Sequence, residues 1–152
     1  MEQESHFGVM FVGEFVHSLD PKRRLTIPSD WRDMLGDENS LYVLPNTEDK
    51  CLIVLPAKEM MVKLAKLRSQ PILDPKARQF SRVLASKSDL TKWDSQGRIR
   101  IKDDLLGYAG LTDQVVMVAA FQGFELWTPE AWKAYSTQDP DGLSSAARYV
   151  GF

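Results

Sequence analysis

Apolar positions along this chain follow two periods in turn, and the same order of periods occurs twice. Arg24-Leu-Thr-Ile27 and Arg98-Ile-Arg-Ile101 alternate polar with apolar residues, so Leu25 with Ile27, and Ile99 with Ile101, share one face of a strand. An apolar, β-prone run precedes each, at 9–19 and at 90–93, and the three residues inside each Asp-x-x-x-Arg phrase, 21–23 and 95–97, predict a hairpin loop. In the second copy Gly97 can take a positive φ at no steric cost, which suits such a loop. A short helix follows, with Ser29 as N-cap before 30–35 and Gly36 as its stop; Gly110 ends the matching piece. Two strand pairs come next, Leu41-Tyr-Val-Leu44 with Cys51-Leu-Ile-Val-Leu55, and Val115-Val-Met-Val118 with Phe124-Glu-Leu-Trp127. Each pair runs into a helix started by a proline, Pro56 or Pro129. Met60, Leu64 and Leu67 fall at helical spacing on the first helix, and Trp132 and Tyr135 on the second, as core-facing stripes.

The repetition extends to residue identity. Asp20-Pro-Lys-Arg-Arg24-Leu-Thr-Ile27 returns as Asp94-Ser-Gln-Gly-Arg98-Ile-Arg-Ile101, 74 positions later (Asp20 to Asp94). Asp30 with Asp104 and Gly36 with Gly110 keep the same offset. Such self-similarity means two copies of one supersecondary unit. The predicted organisation is an N-terminal extension at 1–9, a first repeat at 10–68, a linker helix at 69–87, a second repeat at 88–135 and a flexible tail at 136–152. Asp74 and Pro75 open the linker helix, with Ala77, Phe80 and Leu84 on its apolar side and Lys76, Arg78 and Arg82 elsewhere. The fold class is β-dominated with α+β elements: one domain of two pseudo-symmetric β-α-β-β-α halves with peripheral helices.

Composition changes this picture in one respect. With 152 residues, 43% hydrophobic and 26% charged, the chain has the make-up of an ordinary globular protein with one core. No apolar run approaches the roughly 18 residues of a membrane span, and the acidic start lacks the cationic region of a secretory signal. One cysteine, Cys51, excludes an internal disulfide and fits a reducing compartment, so a cytoplasmic location is expected. The net charge of −2 argues against a polyanionic partner, but its distribution does not. Between Lys58 and Lys102 stand twelve Lys or Arg and four Asp or Glu, which leaves seven basic and seventeen acidic residues elsewhere. The segregation either forms a positive face on an acidic body or solvates two helices.

The repeated phrase carries the candidate chemistry. Each Asp stands four positions before its Arg across a tight turn, so the guanidinium can reach back to the carboxylate with paired hydrogen bonds. Such a pair can be a turn staple and nothing more. The functional reading rests on its surroundings: Lys22 and Arg23 in the first tip, Gln96 in the second, and Arg100 two residues beyond Arg98. Carboxylates repel phosphate, so Asp20 and Asp94 are orienting groups. Arg24 and Arg98, held in a fixed pose, can read guanine through parallel donors while Lys22, Arg23 and Arg100 bind phosphate. Weak contacts of this kind gain strongly when several copies engage repeated sites.

These residues carry a family resemblance. The chain resembles the MraZ family of bacterial transcriptional regulators, related to AbrB-type DNA-binding proteins, in Gly13-Glu-Phe-Val-His-Ser-Leu-Asp20 continuing to Pro28, and in Leu90-Thr-Lys-Trp-Asp-Ser-Gln-Gly-Arg98 continuing to Ile101. Tyr108-Ala-Gly-Leu111 and Phe124-Glu-Leu-Trp-Thr-Pro-Glu-Ala-Trp132 match as well, so the likeness spans about 10–135. It implies a double-split, swapped-hairpin β-barrel of AbrB/MraZ type and subunits closed into an octameric or dodecameric ring. It further implies a repressor, nucleoid-associated, binding short repeated boxes on double-stranded DNA upstream of its own division and cell-wall gene cluster. The family's functional positions map onto Asp20, Arg24, Asp94 and Arg98, with Lys22 and Gln96 at matching loop positions, and the basic tips are expected to line one DNA-facing surface. This chain departs in three places. Met10-Phe-Val-Gly13 lacks the family's arginine and follows nine extra residues, Arg23 stands where the family has glycine, and Lys102 where proline is common.

Other chemistries find little support. His6 and His17 are the only histidines, zinc-ligand spacing is absent, and no glycine-rich phosphate loop occurs. Asp139-Pro-Asp-Gly142 matches only the start of a calcium loop and reads as a solvated turn. No enzyme, cofactor or metal is expected. The remaining alternative is a ring-shaped platform for protein partners, built on the acidic terminal portions and without specific DNA binding.

Overall fold

A computed structural model describes residues 10–71 and 74–152, so the N-terminal extension, His6 and two linker residues lie outside the described residues. In chain order the elements are β1 (Glu14–Ser18), β2 (Arg24–Thr26), α1 (Ser29–Leu35), β3 (Ser40–Pro45), β4 (Leu52–Pro56), α2 (Ala57–Arg68) and α3 (Pro75–Lys87). The second half continues with β5 (Asp89–Lys92), β6 (Arg98–Arg100), α4 (Asp103–Ala109), β7 (Gln114–Ala119), β8 (Phe124–Trp127), α5 (Pro129–Ser136) and α6 (Gly142–Val150). Six strands form one antiparallel sheet in the order β1-β7-β8-β4-β3-β5, and β2 pairs with β6 in a separate ribbon.

This pairing corrects the expected hairpins. The turn between Asp20 and Arg24 closes as anticipated: the Asp20 N–H donates to the Arg24 carbonyl at 3.0 Å, and the Arg23 N–H to the Asp20 carbonyl at 2.9 Å. Beyond the turn the strands part. β1 pairs with β7 and β2 with β6, so each turn bridges two sheets instead of closing one hairpin. The reason is burial. β7 carries the continuous run Val115 to Val118, buried on both faces, and offers β1 an apolar partner that β2 cannot. β2 and β6, three residues each, bury Leu25 and Ile99 against one another, with Ile27 and Ile101 just beyond.

The register has a pseudo-twofold axis. Two cross-strand pairs join residues that are themselves 74 positions apart, Leu25 with Ile99 in the ribbon and Leu52 with Leu126 in the sheet, so the axis runs through both. Ser18 opposite Gln114 has its equivalent in Lys92 opposite Ser40. Hydrogen bonds outside the strands obey the same operation. The Ile27 N–H donates to the Gly97 carbonyl at 2.8 Å, and the Ile101 N–H to the Arg23 carbonyl at 3.0 Å.

The main core lies between the six-stranded sheet and a layer made of the ribbon with α1 and α4. Its aromatic centre is Trp31, whose ring stands 4.6 Å from Phe124, 5.1 Å from Phe15 and 5.6 Å from Phe11 between centroids. The Trp31 indole N–H donates to the Val12 carbonyl at 3.0 Å, which satisfies the one polar atom this ring brings inside. Two smaller clusters cover the sheet's opposite face: Val116, Val118 and Trp127 under α5, and Leu44, Leu55 and Met60 under α2 and α3. Full burial of each aliphatic side chain contributes about 1.5–3 kcal/mol.

Several expectations shift. The chain is a mixed α/β protein and not β-dominated, since the six helices among the described residues outweigh eight short strands. The sheet is open at β1 and β5, and no closed barrel is formed among the described residues. Ser29 is the first helical residue, not the cap, because the extended Pro28 already offers its carbonyl to the Trp31 and Arg32 N–H groups at 3.0 and 3.1 Å. Pro56 precedes α2, whereas Pro129 does open α5, capped by Thr128. Asp74 caps α3 by accepting from the N–H groups of Lys76 and Ala77. The tail read as loose contains α6, which ends on Gly151 at φ 75° with the Phe152 N–H bonded to the Ala147 carbonyl.

Candidate nucleic-acid interface

Alternation along two short strands sorts their side chains. Leu25 and Ile99 point into the core, which leaves Arg24, Thr26, Arg98 and Arg100 on the ribbon's outer face. In the antiparallel register Arg24 lies opposite Arg100, and Thr26 opposite Arg98. Like charges directly opposed on a ribbon repel, so this face is organised for something other than its own stability.

Each carboxylate does two jobs. The Asp20 Oδ1 accepts the backbone N–H groups of Lys22 and Arg24 at 2.9 and 2.8 Å, and its Oδ2 accepts the Arg24 Nε–H at 2.7 Å. Asp94 repeats the pattern with Gln96 at 2.9 Å, the Arg98 N–H at 3.0 Å and the Arg98 Nε–H at 3.0 Å. One oxygen of each carboxylate shapes the turn; the other holds Arg24 by its inner nitrogen alone, whereas at Asp94 it meets both Nε and Nη2 of Arg98, each at 3.0 Å. That arrangement leaves the terminal amino groups of Arg24, and Nη1 of Arg98, for a further acceptor. Partial desolvation raises the Asp20 carboxyl, but the Arg24 N–H, the Arg24 guanidinium and the Lys22 N–H outweigh it and hold the group below its ordinary value. The Arg98 N–H dominates at Asp94 and depresses that carboxyl in the same direction.

The two ends of the ribbon differ. Lys22, Arg23, Arg24 and Arg100 surround one open hollow of about 400 Å³ together with Pro21 and Asp103. Arg100, two residues beyond Arg98 in sequence, thus serves the first tip through the β2–β6 register. Arg23 adopts φ 64°, the left-handed conformation that glycine takes at Gly97 (φ 76°), and its guanidinium lies 3.6 Å from the Asp103 carboxylate. The second tip brings together Gln96, Arg98 and Thr26, a less basic set.

Sequence reasoning missed Arg32. From α1 its Nε–H donates to the Ile27 carbonyl at 3.0 Å, and its guanidinium rests against Gly97 so closely that a Cβ there would meet Cζ and Nε at 2.5 Å. A cation from the first half therefore stands at the second tip, where Gly97 replaces the first tip's Arg23. The missing signal was tertiary: nothing local relates position 32 to position 97.

A duplicated chain folded about one pseudo-twofold axis, with two carboxylate-held arginines on an exposed ribbon, defines a class of two-repeat proteins with a basic face. The family model described as "MraZ protein, putative antitoxin-like" matches residues 84–149. The protein named transcriptional regulator MraZ from Desulfitobacterium hafniense is 37% identical over 138 residues, covering 91% of this chain and 94% of its own. Those of Natranaerobius thermophilus and Clostridium acetobutylicum are 36% and 34% identical over 93% and 87% of this chain and over 96% and 91% of their own. The chain belongs to the MraZ family.

Proposed function

We propose that this protein is a sequence-specific transcriptional regulator that binds double-stranded DNA through the outer face of the β2–β6 ribbon and its two flanking turns. The observation that carries the reading is the register placing Lys22, Arg23, Arg24 and Arg100 around one open hollow. Two-stranded ribbons can enter the major groove, where a positioned arginine discriminates guanine by its paired acceptors. Arg24 and Arg98 are the base readers, Asp20 and Asp94 orient them, and Lys22, Arg23, Gln96 and Arg100 contact the backbone. The two split turns are read as the strand exchange of the AbrB/MraZ swapped-hairpin type, carried here by an open sheet and a separate ribbon. Subunits assemble into a ring that presents many ribbons on one surface, so weak contacts to repeated boxes upstream of its own division and cell-wall cluster add through effective concentration. The protein acts there as a nucleoid-associated repressor in the cytoplasm.

The test is fluorescence anisotropy on a promoter fragment with intact or scrambled boxes, across a salt series. Affinity falls with log salt at a slope of about −0.9 per neutralised phosphate. Arg24→Ala and Arg98→Ala each lose specific binding while the assembled mass stays unchanged by light scattering. Wild-type-like binding by both variants removes the ribbon from the interface, and a collapse of the assembly would make the motifs structural staples.

A further inference from the structure

Two apolar surfaces of this chain have no partner among the described residues. The first belongs to the helical hairpin of α2 and α3 on the sheet's far face. Met60, Leu64, Leu67 and Leu84 line two adjoining hollows of about 190 and 340 Å³, Phe80 at the lip is 45% exposed, and Lys63 and Lys66 form one rim. The second is α6. Leu143, Ala146, Ala147 and Val150 recur at helical spacing along one side, and Leu143 is 90% and Val150 70% exposed. Tyr149 and Phe152 add further apolar area at the helix end.

A nine-residue helix is too short to hold itself in water, since isolated helices below about 12–15 residues are marginal. Its stability must come from packing, and no element among the described residues of its own chain buries a residue of it. Charge selects the surface. The turn into α6 carries Asp139 and Asp141, while α2 and α3 bear Lys58, Lys63, Lys66, Arg68, Lys76, Arg82 and Lys87 against Glu59 as their one acid. An apolar stripe with an acidic leading end matches an apolar groove with a basic rim.

We infer that α6 of one copy docks in the α2–α3 groove of a second copy, with Leu143 and Val150 over Leu64, Leu67 and Phe80 and the Asp139–Asp141 turn against Lys63 and Lys66. Helix and groove are different patches, so the contact is head-to-tail and either closes a ring or propagates. This rests on the self-assembly part of the proposed function and names the surfaces that perform it.

The experiment uses the full chain with Phe80→Cys and Val150→Cys together, both exposed positions. Cys51 is fully buried in the folded chain, so it is spared during oxidation, and alkylation in denaturant before the gel keeps it from cross-linking afterwards. Oxidation followed by a non-reducing denaturing gel should give a ladder of linked chains, absent from either single variant. Adding Lys63→Glu with Lys66→Glu should cut the ladder about fivefold or more, as expected for two reversed ion pairs. Light scattering on the untreated protein separates the two readings: a monomer overturns self-assembly itself, whereas an oligomer without a ladder overturns only this interface. Cross-linking confined to single chains means that α6 closes on its own groove and also overturns the inference. An undiminished ladder in the charge-reversed variant overturns the role of the lysine rim.

Discussion

Replacing Gly97 by alanine tests whether the second tip is built around Arg32. The backbone there sits at φ 76°, and a Cβ would lie 2.5 Å from both Cζ and Nε of Arg32. Two costs follow. Left-handed backbone costs an L-residue about 1–2 kcal/mol. The guanidinium must also move, which strains or breaks the 3.0 Å bond from Arg32 Nε to the Ile27 carbonyl. A hydrogen bond from a charged group contributes about 1.5–3 kcal/mol, and half-burial here puts it at the low end. Alanine recovers about 0.4–1 kcal/mol by restricting the unfolded chain. The net loss is about 1.5–3 kcal/mol, or a fall in melting temperature of about 3–12 °C at this size.

Thermal unfolding followed by circular dichroism measures it, and a double-mutant cycle assigns it. In an Arg32→Ala background the collision is gone, so Gly97→Ala should cost only the backbone share, about 1.5 kcal/mol less than in the parent. A Gly97→Ala protein within about 0.5 kcal/mol of wild type would refute the steric argument. Equal costs in both backgrounds would leave the backbone as the only cause and remove Arg32 from the account.

Arg23→Gly should act oppositely on stability and binding: it relieves a left-handed arginine, raising stability by about 0.5–1 kcal/mol, and removes a cation, which lowers the salt slope of DNA binding by about 0.9. The depressed carboxyls of Asp20 and Asp94 give stability that is present above the ordinary carboxylate range and lost as pH falls through their folded values. Melting temperature should therefore be insensitive to these groups from pH 5 to 8 and drop below about pH 4, with Asp20→Asn/Asp94→Asn flattening that drop. Burial, then the Glu125 and Asp49 charges, push the Cys51 thiol up to about 12, against a hydrogen bond from Asn46. Thiol reagents at pH 8 should modify Cys51 only in denaturant, and its contribution to stability should vanish as pH rises from about 9 toward 12, where the unfolded thiol alone ionises.

The duplication, the turn and most element positions were readable because they are local properties: alternation at 24–27 and 98–101, proline and glycine punctuation, and helical spacing at Met60, Leu64 and Leu67. Partnering was not. Alternation announces a strand with one buried face but says nothing about which strand lies beside it, so β1 and β2 read as a hairpin although each pairs across the pseudo-dyad. For the same reason Arg100 was grouped with the second tip, and Arg32 was not grouped with any. α6 was hidden by composition, since Ser, Gly and Asp around it outvoted the spacing of Leu143, Ala146, Ala147 and Val150. The candidate site was legible residue by residue, and its geometry only through the fold.

That geometry bears on what kind of DNA site the ribbon can favour. A true twofold placed on a duplex makes identical contacts on both half-sites and selects palindromes. Here the axis through Leu25 and Ile99 relates unlike ends. One end gathers Lys22, Arg23, Arg24 and Arg100 about a hollow, with a backbone strained at Arg23; the other has Gln96, Gly97 and Arg98, with Arg32 reaching in from α1. On the proposed reading the stronger phosphate grip sits at the first end, so each subunit carries a direction along the DNA. A directional unit repeated in one sense favours direct repeats over inverted ones. Inverting alternate boxes in a promoter fragment, with spacing unchanged, should weaken binding as much as deleting those boxes; equal affinity for both fragments would show that the two ends are functionally equivalent despite their different chemistry.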